Sequence, residues 1–134
     1  MTIYWTYLLT LALGAADTAC TESGRDYSDA ATVLQVVRNR ATSHLLDYYD
    51  GTLWRALWAP NQHAHGCKWP VTPRHLALGW AFALGTPLPV QDWARQALWY
   101  CHTEPEGTCE SRCEGGCPAV GQVVHTYYGR NHGR

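Results

Sequence analysis

The sequence predicts an α+β protein, a small and mainly helical single domain with a short C-terminal β element. Apolar residues recur at helical spacing along residues 8–99, whereas residues 120–128 alternate in the β-branched and aromatic pattern of a strand. The 134 residues suit one domain and leave no room for two. We therefore expect one domain over residues 1–134.

The first predicted helix ends at an acidic residue. Its apolar face carries residues in steps of four, three, four and three: Leu8, Ala12, Ala15, Ala19 and Glu22. Gly24, just beyond them, is a natural stop. Residues 8–19 also look like the core of a signal peptide, but no basic residue precedes them and the stretch is too short to span a bilayer. We interpret the segment as the first helix and expect no transmembrane segment.

Further helices are predicted before the strand. Ser28 is a candidate N-cap for a second helix, which continues to residue 41. The clearest helix is capped by Thr72, has Pro73 in its first position and ends at Gly85. Short helices are expected over residues 51–59 and 91–99. In the strand, alternate residues share a face: Val123, His125 and Tyr127 on one side, and Val124, Thr126 and Tyr128 on the other.

Charge and aromatic content limit the function classes. A formal net charge of −1 argues against a general affinity for nucleic acid phosphates. The chain has seven Trp and eight Tyr but one Phe, and the flat rings and polar edges of Trp and Tyr suit carbohydrate clefts. Ordinary packing explains any single ring equally well.

Six cysteines stand at positions 20, 67, 101, 109, 113 and 117, and the last four define a Cys-rich loop over about residues 101–118. An even number in a short chain suits an oxidising compartment, so we favour disulfides, in pairs such as Cys20–Cys67 or Cys101 with one of the last three. Free thiols in a reducing compartment are one alternative. Another is zinc, with two candidate ligand sets: His63, His65 and Cys67, or Cys109, Cys113 and Cys117. Their spacing is not that of paired zinc knuckles, so we predict no metal and no cofactor.

Four local motifs follow one another along the chain. They are Glu22 at the end of the first helix, VVRNR at residues 36–40, PNQ at residues 60–62, and VHTYY at residues 124–128. Residues 77–85 and 97–102 lie between the third motif and the fourth. This succession, over roughly residues 8–129, resembles the SleB-like cell wall hydrolases of the spore-cortex-lytic type.

The resemblance implies a lysozyme-like domain that cleaves the glycan strands of peptidoglycan, as a lytic transglycosylase or a muramidase-type glycosidase. It implies Glu22 as the catalytic acid and Asn39 and Arg40 as scaffold residues. It also implies a set of residues near the substrate: Gln62, Tyr100, His102, His125 and Tyr127. The chain departs from the family pattern in the Ser-Gly-Arg that follows Glu22, where Ala-Arg-Gly is usual, in His63, which replaces an aromatic residue, and in the insertion at residues 109–117. The Glu-Ser pair is similar to the start of the Slt-type lytic transglycosylase motif.

Glycosidic cleavage needs an acid that protonates the leaving oxygen. Burial disfavours a charged carboxylate, and the negative end of a helix dipole acts in the same direction, so Glu22 suits this role unless it turns outward beyond the helix. A hydrolase needs a second carboxylate, for which Asp26 and Asp29 are candidates, although Asp29 also fits a simple charge in the first helical turn. If neither reaches the cleft, Glu22 would act first as acid and then as base. The 6-hydroxyl of muramic acid would then attack, which is lytic transglycosylation.

Three other classes stay open: a module that binds glycan without cutting it, a zinc-stabilised structural or interaction module, and a structural or interaction protein of a virus particle or toxin system. The site residues also have simpler interpretations, such as a local hydrogen bond for Asn39, a solvated loop position for Gln62 and core packing for Tyr100, His125 and Tyr127. We expect peptidoglycan glycan strands as the partner. We also expect a monomer that acts in the cell envelope, whether periplasmic, secreted or phage-delivered.

Overall fold

The computed structural model describes residues 2–42, 52–58, 66–68, 70–102 and 117–129. Within these ranges the helices are α1 (Thr2–Ser23), α2 (Tyr27–Thr42), α3 (Leu53–Leu57), α4 (Pro73–Leu84) and a 3₁₀-helix (Asp92–Gln96). The strands are β1 (Trp99–His102), β2 (Ala119–Gln122) and β3 (His125–Tyr128). They form one antiparallel sheet in the order β1-β3-β2. The predicted α+β class, mainly helical with a small sheet, is confirmed.

The helical core lies where α1 packs against α4 and α2. Its centre is apolar and fully buried, and includes Leu11, Leu34 and Phe82. Gly79 of α4 faces the backbone of α1 at Ala12, and a Cβ atom at this position would overlap the Ala12 carbonyl oxygen. The small residues of the α1 stripe therefore serve close helix packing, which is the ordinary reason for such a stripe.

The caps of α4 follow the sequence prediction. Thr72 is the N-cap and its hydroxyl accepts a hydrogen bond from the His75 amide, Pro73 opens the helix, and Gly85 closes it in the left-handed region at φ 74°. The predicted cap of α2 is wrong by two residues. The helix begins at Tyr27, and the Asp26 carboxylate accepts a hydrogen bond from the Asp29 amide at 2.9 Å. Asp26 fills the capping role expected of Ser28 because its side chain reaches the free amide three residues on.

The predicted helix at residues 91–99 is mostly wrong. Only the 3₁₀-helix Asp92–Gln96 forms there, and Trp99 begins β1, which pairs with β3 through Trp99 and Tyr128. A short apolar run takes its structure from its pairing partner, and this partner is distant in the sequence.

The predicted strand at residues 120–128 is two strands joined by a turn at Val123 and Val124. The Val123 amide donates to the His125 carbonyl at 3.0 Å, and the Val124 amide donates to the Asp29 carboxylate at 3.1 Å. The two valines belong to the alternating pattern, which hides the turn. His125 and Tyr127, which were predicted to share a face, are both buried, whereas Thr126 and Tyr128 are half-buried.

The Cys20–Cys67 disulfide is present and joins α1 to residues 66–68. The Asp17 carboxylate supports the same segment by accepting hydrogen bonds from the Gly66 and Cys67 amides, at 2.8 and 2.9 Å. Cys67, one candidate zinc ligand, is thus disulfide-bonded and not free to bind a metal. Cys117, another candidate, is also disulfide-bonded. The remaining candidates lie outside the described residues: His63, His65, Cys109 and Cys113.

Cys101 is likewise disulfide-bonded, and the Cys-rich loop between residues 103 and 116 lies outside the described ranges. Over the part of the chain that the structure describes, no cluster of His, Cys, Asp and Glu has the arrangement of a metal site. No helix in that part is both long and apolar enough to cross a membrane.

Candidate functional site

The end of α1, the first turn of α2 and strand β3 meet at a buried carboxylate. Asp29 is 0% exposed and accepts five hydrogen bonds. Oδ2 accepts from the Ser23 hydroxyl and from His125 Nδ1, both at 2.6 Å. Oδ1 accepts from the Val124 and His125 amides at 3.1 and 3.0 Å, and from the Tyr127 hydroxyl at 2.8 Å. Asp29 thereby ties two helices to the sheet.

These contacts decide the charge of Asp29. Burial by itself raises the pKa of Asp29. Hydrogen bonds from His125 and Ser23, together with the charge of the nearby imidazole, lower it by more than burial raises it, so the pKa falls from 3.8 to about 2. Asp29 is therefore a carboxylate at neutral pH. Burial and the adjacent Asp29 charge raise the pKa of Tyr127 far above its ordinary value, so its hydroxyl is a neutral donor.

The His125 ring has a fixed orientation. It is 1% exposed, and because a carboxylate can only accept, the ring proton on Nδ1 is donated to Asp29. The opposite nitrogen, Nε2, lies 3.7 Å from Oε2 of Glu22. Tyr100 packs edge-on against the ring at a centroid distance of 5.1 Å, and Tyr127 does so at 6.2 Å. The imidazole is thus held between two carboxyl groups.

Glu22 lies in the last turn of α1, just before Gly24 ends the helix at φ 56°. Its side chain is 12% exposed. The alternative of a Glu that turns outward into solvent is therefore wrong. The Glu22 carboxyl group is thus mostly buried and keeps a small exposed fraction.

The predicted scaffold residues lie behind the sheet. The Asn39 amide donates to the carbonyls of Ala94 and Ala97 at 2.9 and 2.8 Å, and Arg40 Nε donates to the Leu98 carbonyl at 2.6 Å. These bonds fasten α2 to the chain that leads into β1.

The structure brings four predicted site residues together: Glu22, Tyr100, His125 and Tyr127. His102 is the last residue of β1 and the register partner of His125. Gln62 lies outside the described residues. Tyr127 is fully buried and Tyr100 nearly so, which places both rings in the packing around His125 and not on an open surface.

Sequence reasoning missed the central role of Asp29. It does stand in the first turn of α2, as expected, but its side chain points into the molecule and holds β3. A signal was present, because Asp29 shares a helix face with Val33 and Val36, four and seven residues on. Both valines are buried in the cluster that contains Tyr100 and Tyr127. An acidic residue on such a stripe needs partners.

A separate cavity of about 410 Å³ lies between the start of α2 and α4. Its lining includes Tyr27, Arg74, Leu78 and Pro89, and none of the predicted site residues. Arg74 is stacked over the Tyr27 ring at 4.2 Å, so its charge is engaged at the rim. The cavity is therefore distinct from the Glu22 site.

No protein-family model, curated protein or solved structure matches the chain at a significant level.

Proposed function

We propose that the protein cleaves the glycan strands of peptidoglycan, with Glu22 as the general acid. The observation that carries the proposal is the Glu22 carboxyl group, 12% exposed and 3.7 Å from an oriented, buried histidine. Cleavage of a glycosidic bond needs a carboxyl group that touches the substrate from a sheltered position. A glutamate that only contributed to solubility would be exposed, and its role would not require His125, a buried neighbour held in place by Asp29.

Lytic transglycosylation is the form of the reaction that we favour. Asp29 is fully buried with its oxygens engaged by five donors, and Asp26 caps α2, so neither candidate is placed to activate a water. With one carboxyl group, Glu22 protonates the leaving oxygen as its bond to the anomeric carbon breaks. The 6-hydroxyl of muramic acid then bonds to that carbon and its proton returns to Glu22. No water is consumed, and the product ends in a 1,6-anhydro sugar.

Two further observations support the setting of this reaction. The mainly helical domain with a small antiparallel sheet is compatible with a lysozyme-like fold, which we include in the proposal. The Cys20–Cys67 disulfide suits an oxidising compartment, in line with action in the cell envelope. In this proposal Tyr127 and His125 act through Glu22 and not by contact with the sugar, because both are buried.

The test compares the native protein with Glu22→Gln, which keeps the shape of the side chain and removes its acid. Each is incubated with purified peptidoglycan, and soluble products are analysed by mass spectrometry. Asp92→Asn is the matched control, because Asp92 is an exposed carboxylate on the 3₁₀-helix. We expect anhydro-muramic fragments from the native protein and the control, and none from Glu22→Gln.

Other results have definite meanings. Equal release by Glu22→Gln, or no release by the native protein with its disulfides intact, contradicts the proposal. Products with reducing ends would retain Glu22 as the acid and replace transglycosylation by hydrolysis. Sedimentation with peptidoglycan without any release would favour the glycan-binding module.

A further inference from the structure

We propose that the cavity between α2 and α4 binds the peptide stem of peptidoglycan by its terminal carboxylate, with Arg74 as the anion partner. The inference rests on the proposed function for the identity of the natural ligand, because the glycan strands of peptidoglycan carry short peptides with a free carboxyl end. The binding of such a peptide can be tested without any cleavage of glycan.

The cavity has the size and the lining of a ligand site. Its volume is about 410 Å³, which lies within the range of roughly 300–1,000 Å³ for small-molecule sites. In its lining, Leu78 is buried and Ala81 is half-buried, whereas Ser28 and Pro89 are exposed. An open cavity of this kind suits a peptide, which can bury an apolar side chain and keep its polar backbone in water. An acyl chain would leave apolar surface in water.

Arg74 supplies the charge of the cavity. Among the described residues of the lining it is the one cation, and none of them is acidic. Its guanidinium carbon lies 4.2 Å from the centre of the Tyr27 ring, so one face of the guanidinium is stacked on the ring. The N–H groups at the edge of the plane stay available for two parallel hydrogen bonds to a carboxylate. The described residues offer Arg74 no carboxylate partner, so a ligand has to supply it.

Tyr27 gives the cavity a fixed wall. Its hydroxyl lies 3.0 Å from the Thr72 hydroxyl, and its ring packs on the ring of His75 at a centroid distance of 5.0 Å. His75 is itself held between Thr72 and the Gly24 carbonyl. Because the wall and the guanidinium stacked on it are ordered before a ligand arrives, binding has a smaller entropic cost.

The cavity lies within reach of the proposed acid. Tyr27 follows Glu22 by five residues, so their Cα atoms are at most about 18 Å apart. An extended tetrapeptide spans about 13 Å, and the lactyl group that joins it to muramic acid adds to this length. A glycan strand bound at Glu22 can therefore place the end of its peptide in the cavity.

The binding experiment is an NMR titration of the ligand-free protein with a synthetic stem tetrapeptide, acetylated at its amino end. The matched ligand is the same peptide with a C-terminal amide. We expect the signals of Tyr27 and Leu78 to shift, and the amide form to bind at least tenfold more weakly, because a charge-assisted pair is lost.

Two variants separate the charge of the site from its shape. Arg74→Gln should weaken the carboxylate peptide at least tenfold, whereas Arg95→Gln, which changes an exposed arginine on the 3₁₀-helix, should bind it as the native protein does. Ala77→Leu keeps Arg74 and narrows the cavity, so it should weaken both peptides. Native affinity in Arg74→Gln contradicts the role of this residue.

The second readout is glycan release from peptidoglycan with its stem peptides, and from the same material after the peptides have been removed. On the first substrate we expect Arg74→Gln to raise KM about tenfold with kcat unchanged. On the second substrate it should match the native protein. An equal loss on both substrates contradicts the peptide role.

The outcomes separate the two proposals. Equal binding of the carboxylate and amide peptides overturns the site, and so does tighter binding of hexanoate, which would assign the cavity to an acyl chain. Peptide binding without glycan release by the native protein overturns the proposed function and leaves the carboxylate site standing. Glycan release without peptide binding overturns the site alone.

Discussion

Two histidines of this protein have the same burial and opposite chemistry. His75 and His125 are each 1% exposed. In His75 the Nδ1 atom accepts a hydrogen bond from the Thr72 amide at 3.0 Å, so the ring proton is on Nε2 and is donated to the Gly24 carbonyl at 2.6 Å. In His125 the proton is on Nδ1 and is donated to Asp29. The two rings are opposite tautomers, each set by its neighbour.

The difference shows how the end of α1 is controlled from two sides. His75 joins α4 to the backbone of Gly24 through neutral groups, which fixes where the helix stops. His125 lies next to the side chain of Glu22, two residues before Gly24, and its other ring nitrogen, Nδ1, is hydrogen-bonded to the charged Asp29 carboxylate. One histidine therefore has a structural role that neutral acceptors satisfy. The other lies between two carboxyl groups, those of Asp29 and of the proposed acid Glu22.

The strongest way to break this comparison is to remove the side chain that bonds to each histidine, Asp29 for His125 and Thr72 for His75. Asp29→Ala leaves five donors without their acceptor, three of them buried and two half-buried. We therefore expect a loss of about 4 kcal/mol in the free energy of unfolding. Thr72→Ala removes a helix cap and should cost about 1 kcal/mol. Urea unfolding at neutral pH measures both. Equal losses would mean that Asp29 is no more than another cap.

A second prediction uses pH to single out the charged site. The pKa of Asp29 is about 2 in the fold, below its ordinary value of 3.8, so its contribution to stability is complete above about pH 4 and is lost as pH falls through about 2. The amount is about 2 kcal/mol. In urea unfolding between pH 5 and pH 2, the free energy of unfolding should therefore fall more steeply with decreasing pH for the native protein than for Asp29→Asn. A native slope in Asp29→Asn would contradict the assignment.

The sequence predicts best where structure depends on neighbours along the chain. Thr72, Pro73 and Gly85 set both ends of α4 through local hydrogen bonds and backbone preference, and each was predicted in its role. The start of β1 was predicted as the end of a helix, because Trp99 becomes a strand residue only by pairing with Tyr128. The turn at Val124 was missed since it is held by Asp29, 95 residues earlier.

The site divides in the same way. The order of the motifs indicated Glu22 and His125, and the structure places them 3.7 Å apart. The helix face that Asp29 shares with Val33 and Val36 indicates burial, but it does not identify the partners of Asp29 in β3. Asp29 was therefore interpreted as a charge in the first helical turn. A site residue is predicted correctly when it stands in one of the sequence motifs, as Glu22 and His125 do. Prediction fails when the role of a residue is defined by a contact made only after folding.

The finest form of the comparison removes one hydroxyl from each site. Tyr127 donates to the charged Asp29 Oδ1 at 2.8 Å inside the core, whereas the Tyr27 hydroxyl lies 3.0 Å from the neutral hydroxyl of Thr72 in a half-buried position. Hydrogen bonds to charged groups contribute more than neutral ones. We expect Tyr127→Phe to cost about 1.5 kcal/mol and Tyr27→Phe about 0.5 kcal/mol in urea unfolding. In the Asp29→Asn background the cost of Tyr127→Phe should shrink and that of Tyr27→Phe should persist. A constant cost for Tyr127→Phe would assign its contribution to ring packing, and the charge of Asp29 would then not be what distinguishes the two sites.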